Sequence, residues 1–355
     1  MERRMIKAVF LDIDGTLRDE RHGIPASAVQ ALRMCRKVGI QVVICTGRNM
    51  ASIQPDVKAL AVDGIIAGGG CMILEGGQVR KNLFFQDEEI KEVVHGLVQK
   101  EMPFALESQQ GIFMNQAASL WFRKDFERKL EGLEPWERQR RREENRISYK
   151  DNMAWYRPGH DAIHKICIWS PMDKREETAV MALQAGTIVQ QGVVDGQWYL
   201  EVLPAGCTKG DAVREWCRMK EVSPADAISF GDGKNDIEML LATGIGVAMV
   251  DGDSGLKACA DAVCETAMED GIYRELARRG VISAETSGMG NGIGMENRAD
   301  KEKQYQKNSG RKKQWQKQEI GGRKKWYTRF IPEALRTAMM TESVTYAESR
   351  KNWII

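Results

Sequence analysis

An apolar run that leads directly into two carboxylates constrains the fold of this chain more than any other feature. Residues 8–11 (AVFL) are all apolar, and DIDGT follows at residues 12–16. Such a run is typical of a strand that is buried on both faces of a parallel sheet. In open α/β sheets, ligands bind beyond the carboxyl ends of the strands. The sequence therefore predicts a ligand site immediately after the first strand.

The two carboxylates of this run, Asp12 and Asp14, would share a face of a continuing strand because they are two residues apart. Gly15 then allows the chain to turn sharply. Carboxylates this close repel each other unless a cation or a shared proton relieves the repulsion. A hard divalent cation such as Mg²⁺, which prefers oxygen ligands, is the simplest relief.

Strand and helix patterns alternate in the first 80 residues and again late in the chain. The early segments are strands at 8–11, 40–45 and 64–67 and helices at 25–38 and 51–60. The late segments are helices at 210–219 and 236–242 and strands at 227–230 and 244–249. This order predicts an α/β fold with a Rossmann-like parallel sheet.

The segment between the two halves has a different sequence pattern, with long charged helices and short strand-like stretches. We interpret it as an α+β cap domain inserted into the sheet domain. The predicted boundaries are 1–82 for the first part of the core, 83–198 for the cap and 199–282 for the second part of the core.

The last segment, residues 283–355, carries 15 Lys and Arg and 8 Asp and Glu, a net charge of +7, within a chain whose net charge is +2. It is rich in Gly, Lys, Gln and Asn, which predicts a basic, disordered tail with at most a short helix at 332–340. Two interpretations remain: a basic arm that contacts RNA or another polyanion through Trp315, Trp326 and Tyr327, or an extension without a role, which we favour.

The composition argues for a protein that stays in the cytoplasm. No stretch reaches the roughly 18 uninterrupted apolar residues of a membrane span, and the N-terminal apolar run is too short for a signal peptide. The eight cysteines form no CxxC pair, so zinc-ligand spacing is absent and reduced core thiols are expected.

Three later motifs place further polar groups at predicted strand ends or helix starts. Thr46 and Gly47 follow the second strand, where a hydroxyl and backbone N–H groups suit an anionic oxygen. Thr208 has the character of an N-cap, which would place Lys209 at the positive end of a helix. The turn GDGKND at residues 231–236 adds two carboxylates and an amide. Carboxylates with Mg²⁺, a lysine and backbone donors are what phosphoryl transfer needs.

The four motifs DxDGT, Thr46, Lys209 and GDGxND, in this order, resemble those of haloacid-dehalogenase-like (HAD) phosphatases. The large insertion before the lysine resembles the Cof-type branch, which has an α+β cap there. The stretches at 200–213, 246–263 and 269–282 also resemble that branch, and the resemblance covers about residues 5–282. One departure is at Gly69 and Gly70, where family members often carry Asn-Gly.

The resemblance implies a role for each motif. Asp12 would be the nucleophile that takes the phosphoryl group, and Asp14 the general acid and then base. Lys209 would neutralise Asp12 and the phosphoryl group. The remaining roles would be phosphate binding by Thr46, Gly47, Asn235 and Lys209, and Mg²⁺ binding by Asp12, the backbone carbonyl of Asp14, Asp232 and, less directly, Asp236.

The resulting hypothesis is a Mg²⁺-dependent phosphatase that hydrolyses a small phosphorylated metabolite through an aspartyl-phosphate. The alternative is a non-catalytic phospholigand- or RNA-binding protein that keeps the fold. Nucleic acid is expected as a partner only if the basic tail contacts it, and no membrane partner is expected.

Four cap residues are candidates for recognising the leaving group, namely Trp121, Arg123, Tyr156 and Arg157. For each of them, an ordinary surface or cap-core role is favoured. Substrate and oligomeric state stay open.

Overall fold

The structure is a computed structural model that describes residues 5–145, 149–150, 153–283, 318–320 and 323–325. The first core segment contains β1 (Ala8–Leu11), α1 (Ala26–Lys37), β2 (Gln41–Cys45), α2 (Pro55–Lys58), β3 (Gly64–Ala67), β4 (Met72–Glu75) and β5 (Gln78–Asn82). The cap contains α3 (Asp87–Gln99), β6 (Phe104–Ser108), β7 (Gly111–Met114), α4 (Gln116–Leu130), α5 (Pro135–Asn145), β8 (Tyr149–Lys150), β9 (Ile163–Ser170), α6 (Arg175–Ala185), β10 (Thr187–Val194) and β11 (Gln197–Leu203). The second core segment contains α7 (Lys209–Met219), β12 (Ala227–Gly231), α8 (Ile237–Ala242), β13 (Ile245–Met249), α9 (Ser254–Cys259), β14 (Ala262–Cys264) and α10 (Gly271–Arg278).

The two core segments form one sheet in the order β14-β13-β12-β1-β2-β3-β4-β5. The strands from β14 to β3 are parallel, and β4 and β5 continue the sheet antiparallel. The predicted α/β class with a Rossmann-like parallel core and an inserted α+β cap is confirmed. The predicted helix at 51–60 is reduced to α2, since Pro55 begins its first turn.

The central strand β1 is fully buried because both faces of the sheet are covered, as its continuous apolar sequence predicted. Val9 and Leu11 belong to a core that includes α1 and α10, whereas Ala8 and Phe10 face α7 and α8. This position between β12 and β2 brings the carboxyl ends of three strands together. The site motifs therefore meet because of strand order.

The cap forms a second sheet in the order β10-β11-β9-β6-β7-β8. Residues of α3 and α6 pack on one face, around Phe104 and Ile166, and residues of α4 pack on the other face against Trp169. Strand β11 extends to Leu203, five residues beyond the predicted cap boundary at residue 198. Residues 199–203 (YLEVL) are apolar apart from Tyr199 and Glu201, so composition did not separate the two sheets.

The tail is described only where β15 (Gln318–Ile320) pairs antiparallel with β16 (Arg323–Lys325). The other tail residues, including the predicted helix at 332–340 and the aromatic residues of the proposed basic arm, lie outside the described residues. No helix in the described part of the chain is long and apolar enough to cross a membrane.

His164 lies at the junction of cap and core, where its Nε2 is 2.6 Å from Oδ1 of Asn82. Burial lowers the pKa of His164 to about 4. In the unfolded chain, the His164 imidazole takes up a proton near pH 6.5. The stability that depends on neutral His164 is therefore fully present above that pH and is lost as the pH falls toward 4. We expect the free energy of unfolding to drop by about 2 kcal/mol between pH 7 and pH 5 from this group. Urea unfolding of His164→Gln should show a flatter pH profile, whereas His95→Gln, on the exposed face of α3, should keep the wild-type slope.

Candidate active site

Asp12 follows β1 directly and lies 93% buried at the edge of the core sheet. Its backbone N–H donates to the carbonyl of Phe230, which continues the pairing of β1 with β12. Lys209 donates from Nζ to Oδ1 of Asp12 over 2.7 Å and to Oδ1 of Asp236 over 2.6 Å. Three motifs that are distant in sequence thus meet at one buried lysine.

The protonation of this group follows from burial and charge. Burial and the neighbouring Asp236 raise the pKa of Asp12, and Lys209 only partly opposes them. Burial lowers the pKa of Lys209, but the Asp12 and Asp236 carboxylates outweigh it and hold the pKa above its usual range. Lys209 is therefore charged at neutral pH, and the carboxylates around it still repel one another.

Asp12, Asp232 and Asp236 form a cluster in which one carboxylate oxygen from each lies within 4.8 Å of the others. Asp232 accepts from Oγ1 of Thr16, and Asp236 accepts from the backbone N–H groups of Asp232 and Gly233. Burial and the Asp236 charge raise the pKa of Asp232 to about 6. Three carboxylates lie together while Lys209 pairs with two of them, Asp12 and Asp236, and oxygen donors of this kind fit a hard divalent cation.

Asp14 does not share this cluster, because its side chain points to Arg48 instead. Nε and Nη2 of Arg48 donate to its two oxygens at 2.5 and 2.9 Å, and Gln54 donates at 3.1 Å. Burial raises the pKa of Asp14, but Arg48 outweighs burial and the net effect is a lowered pKa. The sequence named Asp14 without revealing this partner, since Arg48 lies after β2.

The predicted phosphate-binding residues surround the same strand ends. Thr46 is buried after β2, and its Oγ1 accepts from the backbone N–H of Arg48. Asn235 lies between two glycines: a Cβ on Gly47 would be 3.3 Å from its Nδ2, and one on Gly233 would be 2.6 Å from its Oδ1. Thr46 follows β2 and Asn235 follows β12, so both come after strands that flank β1 and lead to the edge of the sheet where Asp12 lies.

Two glycines, Gly15 and Gly70, allow backbone segments of the site to lie close to their neighbours. Gly15 has φ +75°, and a Cβ there would lie 2.4 Å from Oδ2 of Asp232. Gly70 has φ +110°, and a Cβ there would lie 2.2 Å from the carbonyl oxygen of Thr208, at the start of α7. The sequence indicated the turn at Gly15. For Gly70, the sequence indicated only that the chain departs there from the Asn-Gly of family members. It did not reveal that the lack of a side chain at Gly70 lets the start of α7, with Lys209, approach the sheet.

The cap candidates named from sequence fall mainly into other roles. Trp121 packs against Trp169, and Tyr156 packs against Phe113 in the cap core. Arg157 lies beside His160 at the surface. Sequence reasoning missed Lys165, although a lysine within the apolar strand β9 (IHKICIWS) was a signal for a functional group.

Comparison with known proteins decides the family. A family model described as haloacid dehalogenase-like hydrolase matches residues 9–276. The chain belongs to this family. Two relatives are the pyridoxal phosphate phosphatase YbhA of Escherichia coli (strain K12), 25% identical over 75% of this chain and 96% of its own length, and a phosphoglycolate phosphatase of Methanoculleus marisnigri, 25% identical over 77% and 97%.

Solved structures agree with this assignment. The HAD subclass IIB sugar phosphatase BT4131 superposes with a TM-score of 0.61 at 25% identity, over 78% of this chain and 100% of its own. BT1666 from Bacteroides thetaiotaomicron shares the fold, with a TM-score of 0.63 at 24% identity over 79% and 97%. The predicted class, a HAD-type phosphoric monoester hydrolase, is confirmed. The alternative of a non-catalytic binding protein is not supported by these matches.

Proposed function

We propose that this enzyme hydrolyses the phosphate ester of a small metabolite through an aspartyl-phosphate on Asp12, with Mg²⁺ as cofactor. The observation that carries the proposal is the buried contact of Lys209 with Asp12 and Asp236, at strand ends that also hold Thr46 and Asn235. The relatives named above act on pyridoxal phosphate and phosphoglycolate, which supports a small phosphorylated substrate.

The metal would be held by Asp12 and Asp232, with Asp236 orienting the turn through its bonds to two backbone N–H groups. The backbone carbonyl of Asp14 is a further proposed ligand. The fit is supported by the crowding of the Asp12, Asp232 and Asp236 carboxylates and by the raised pKa of Asp232. When bound, Mg²⁺ would neutralise phosphoryl oxygens and orient them for displacement.

Asp12 would attack phosphorus, forming a P–O bond as the bond to the leaving oxygen breaks. Lys209 would offset charge on the phosphoryl group, and Thr46, the N–H of Gly47 and Asn235 would bind its oxygens. Asp14 would give its proton to the leaving oxygen. It would then take one from the water that hydrolyses the aspartyl-phosphate, which releases phosphate.

The ion pair of Asp14 with Arg48 sets a condition on this mechanism. A carboxylate held by a guanidinium keeps its charge and cannot deliver a proton. We therefore propose that Asp14 leaves Arg48 when substrate binds and becomes protonated beside the phosphate ester. In its ion pair with Arg48, Asp14 is ionised, which is also the charge state from which it would act as the base in the second step.

Removal of the metal tests the proposal directly. We expect EDTA to lower hydrolysis of p-nitrophenyl phosphate more than about 100-fold and added Mg²⁺ to restore it, since the carboxylates alone repel the phosphate dianion. A beryllofluoride adduct that forms on Asp12, observed by ¹⁹F NMR, should likewise need Mg²⁺. Full activity in EDTA would contradict the metal assignment, and an adduct that persists in Asp12→Asn would contradict the nucleophile.

A further inference from the structure

Three neighbouring strands of the cap carry a row of charged side chains on one face of the sheet. Glu107 of β6 lies opposite Lys165 of β9, and Glu201 of β11 lies opposite Cys167, on the same face. Nζ of Lys165 is 3.1 Å from Oε1 of Glu107 and 3.3 Å from Oε1 of Glu201. We call these three residues the cap row.

The surroundings of the cap row favour ionised side chains. Burial lowers the pKa of Lys165, but Glu107 and Glu201 outweigh burial and hold it well above its usual range. The thiol of Cys167 donates to Glu107, and the hydroxyl of Tyr199 donates to Glu201, as expected for charged acceptors. The cap row therefore has two negative charges and one positive charge. Replacing buried ions by apolar residues is often neutral or stabilising, so stability alone does not account for them.

The cap row faces the catalytic core. Lys165 donates to the carbonyl of Gly47 over 3.3 Å, and Nδ2 of Asn49 donates to Oε2 of Glu107 over 3.2 Å. Gly47 follows Thr46 and packs on Asn235, two of the proposed phosphate-binding residues. Strand β10 of the cap also contacts the turn at Lys234–Asp236. A group attached to a phosphate at Asp12 would therefore extend toward the cap row.

We infer that Glu107, Lys165 and Glu201 contact the leaving group of the substrate and select neutral, hydroxyl-bearing leaving groups against anionic ones. The inference rests on the proposed function. Carboxylates accept from hydroxyl groups, and Lys165 donates to a hydroxyl oxygen. A second anionic group would meet the net negative charge of the cap row at low dielectric. When it binds, the leaving group would take the place of the Gly47 carbonyl as the partner of Lys165. It would also take the place of Asn49 as the partner of Glu107.

A matched pair of substrates tests the inference. Glycerol 3-phosphate and 3-phosphoglycerate differ at the far end, where one has a hydroxymethyl group and the other a carboxylate. We expect wild-type kcat/KM to favour glycerol 3-phosphate by tenfold or more. Glu107→Gln and Glu201→Gln should each reduce this preference about tenfold, because each removes one negative charge while keeping the shape of the side chain. Glu92→Gln, exposed on α3, is the control and should keep the wild-type ratio.

The outcomes separate the inference from the proposed function. A wild-type preference for 3-phosphoglycerate, or an unchanged ratio in both Gln variants, overturns the inference even if p-nitrophenyl phosphate is hydrolysed. Equal losses for both substrates would mean that the cap row only holds cap and core together, which also overturns it. Wild-type protein that does not hydrolyse p-nitrophenyl phosphate with Mg²⁺ overturns the proposed function itself. Thermal unfolding of each variant separates a folding defect from altered specificity.

Discussion

Asp12→Asn lowers kcat/KM for p-nitrophenyl phosphate by about 10,000-fold or more, as expected for loss of a covalent nucleophile. The amide has nearly the shape of the carboxylate but cannot form the aspartyl-phosphate. Steady-state kinetics with saturating Mg²⁺ measures the loss, so that weaker metal binding by the variant is not counted as lost chemistry. Robust turnover by the variant would contradict Asp12 as the nucleophile.

The same variant is expected to fold as well as the wild type. The raised pKa of Asp12 means that its charged form is unfavourable where it lies, and Lys209 keeps Asp236 as a partner. Thermal unfolding should therefore show no loss of stability. Asp173→Asn, an exposed acid-to-amide change in the cap, is the matched control and should keep both activity and stability.

Lys209→Met is expected to lower both activity and stability. Removing one partner of a buried ionic group leaves the Asp12 and Asp236 carboxylates uncompensated, which costs about 3–5 kcal/mol. Activity should fall about 1,000-fold or more because the phosphoryl group loses the buried lysine that contacts Asp12. Urea unfolding without metal and steady-state kinetics with Mg²⁺ measure the two effects.

A second substitution separates these two effects. Lys209→Met combined with Asp236→Asn should recover part of the stability, because one buried charge is removed, but none of the activity. Lys91→Met, on the exposed face of α3, controls for the chemical change and should behave as wild type. A single Lys209→Met variant as stable as wild type would mean that the two carboxylates are not charged in the folded protein.

The centre of the site was predictable because its position depends on local patterns. The apolar run at residues 8–11 predicts a buried strand, and parallel strands place the residues after their carboxyl ends at one edge of a sheet. Thr46, Asp232 and Asn235 come after β2 and β12, the two neighbours of β1. Their grouping around Asp12 is therefore a consequence of strand order.

The partners of Asp14 could not be predicted in this way. Arg48 and Gln54 lie in the segment between β2 and α2, where no periodic pattern orients side chains. The partner choice depends on the path of that segment beneath the cap. The family resemblance implied a proton-transfer role for Asp14, but only the tertiary structure revealed its ion pair with Arg48, which must break first under the proposed mechanism.

In the cap, the sequence predicted even less about which side chains lie together. Glu107, Lys165 and Glu201 come from strands about 36 to 94 residues apart, and no local sequence pattern joins them into one group. Pairing of β6, β9 and β11 places them in one row and turns that row toward Gly47.

The sequence by itself determined the fold class of this protein and the position of the candidate catalytic motifs at strand ends, because apolar strands and the residues at their ends follow local rules. The tertiary structure alone decided which groups are paired and buried. Those properties depend on contacts between distant segments, whose charges interact strongly only after folding has excluded water.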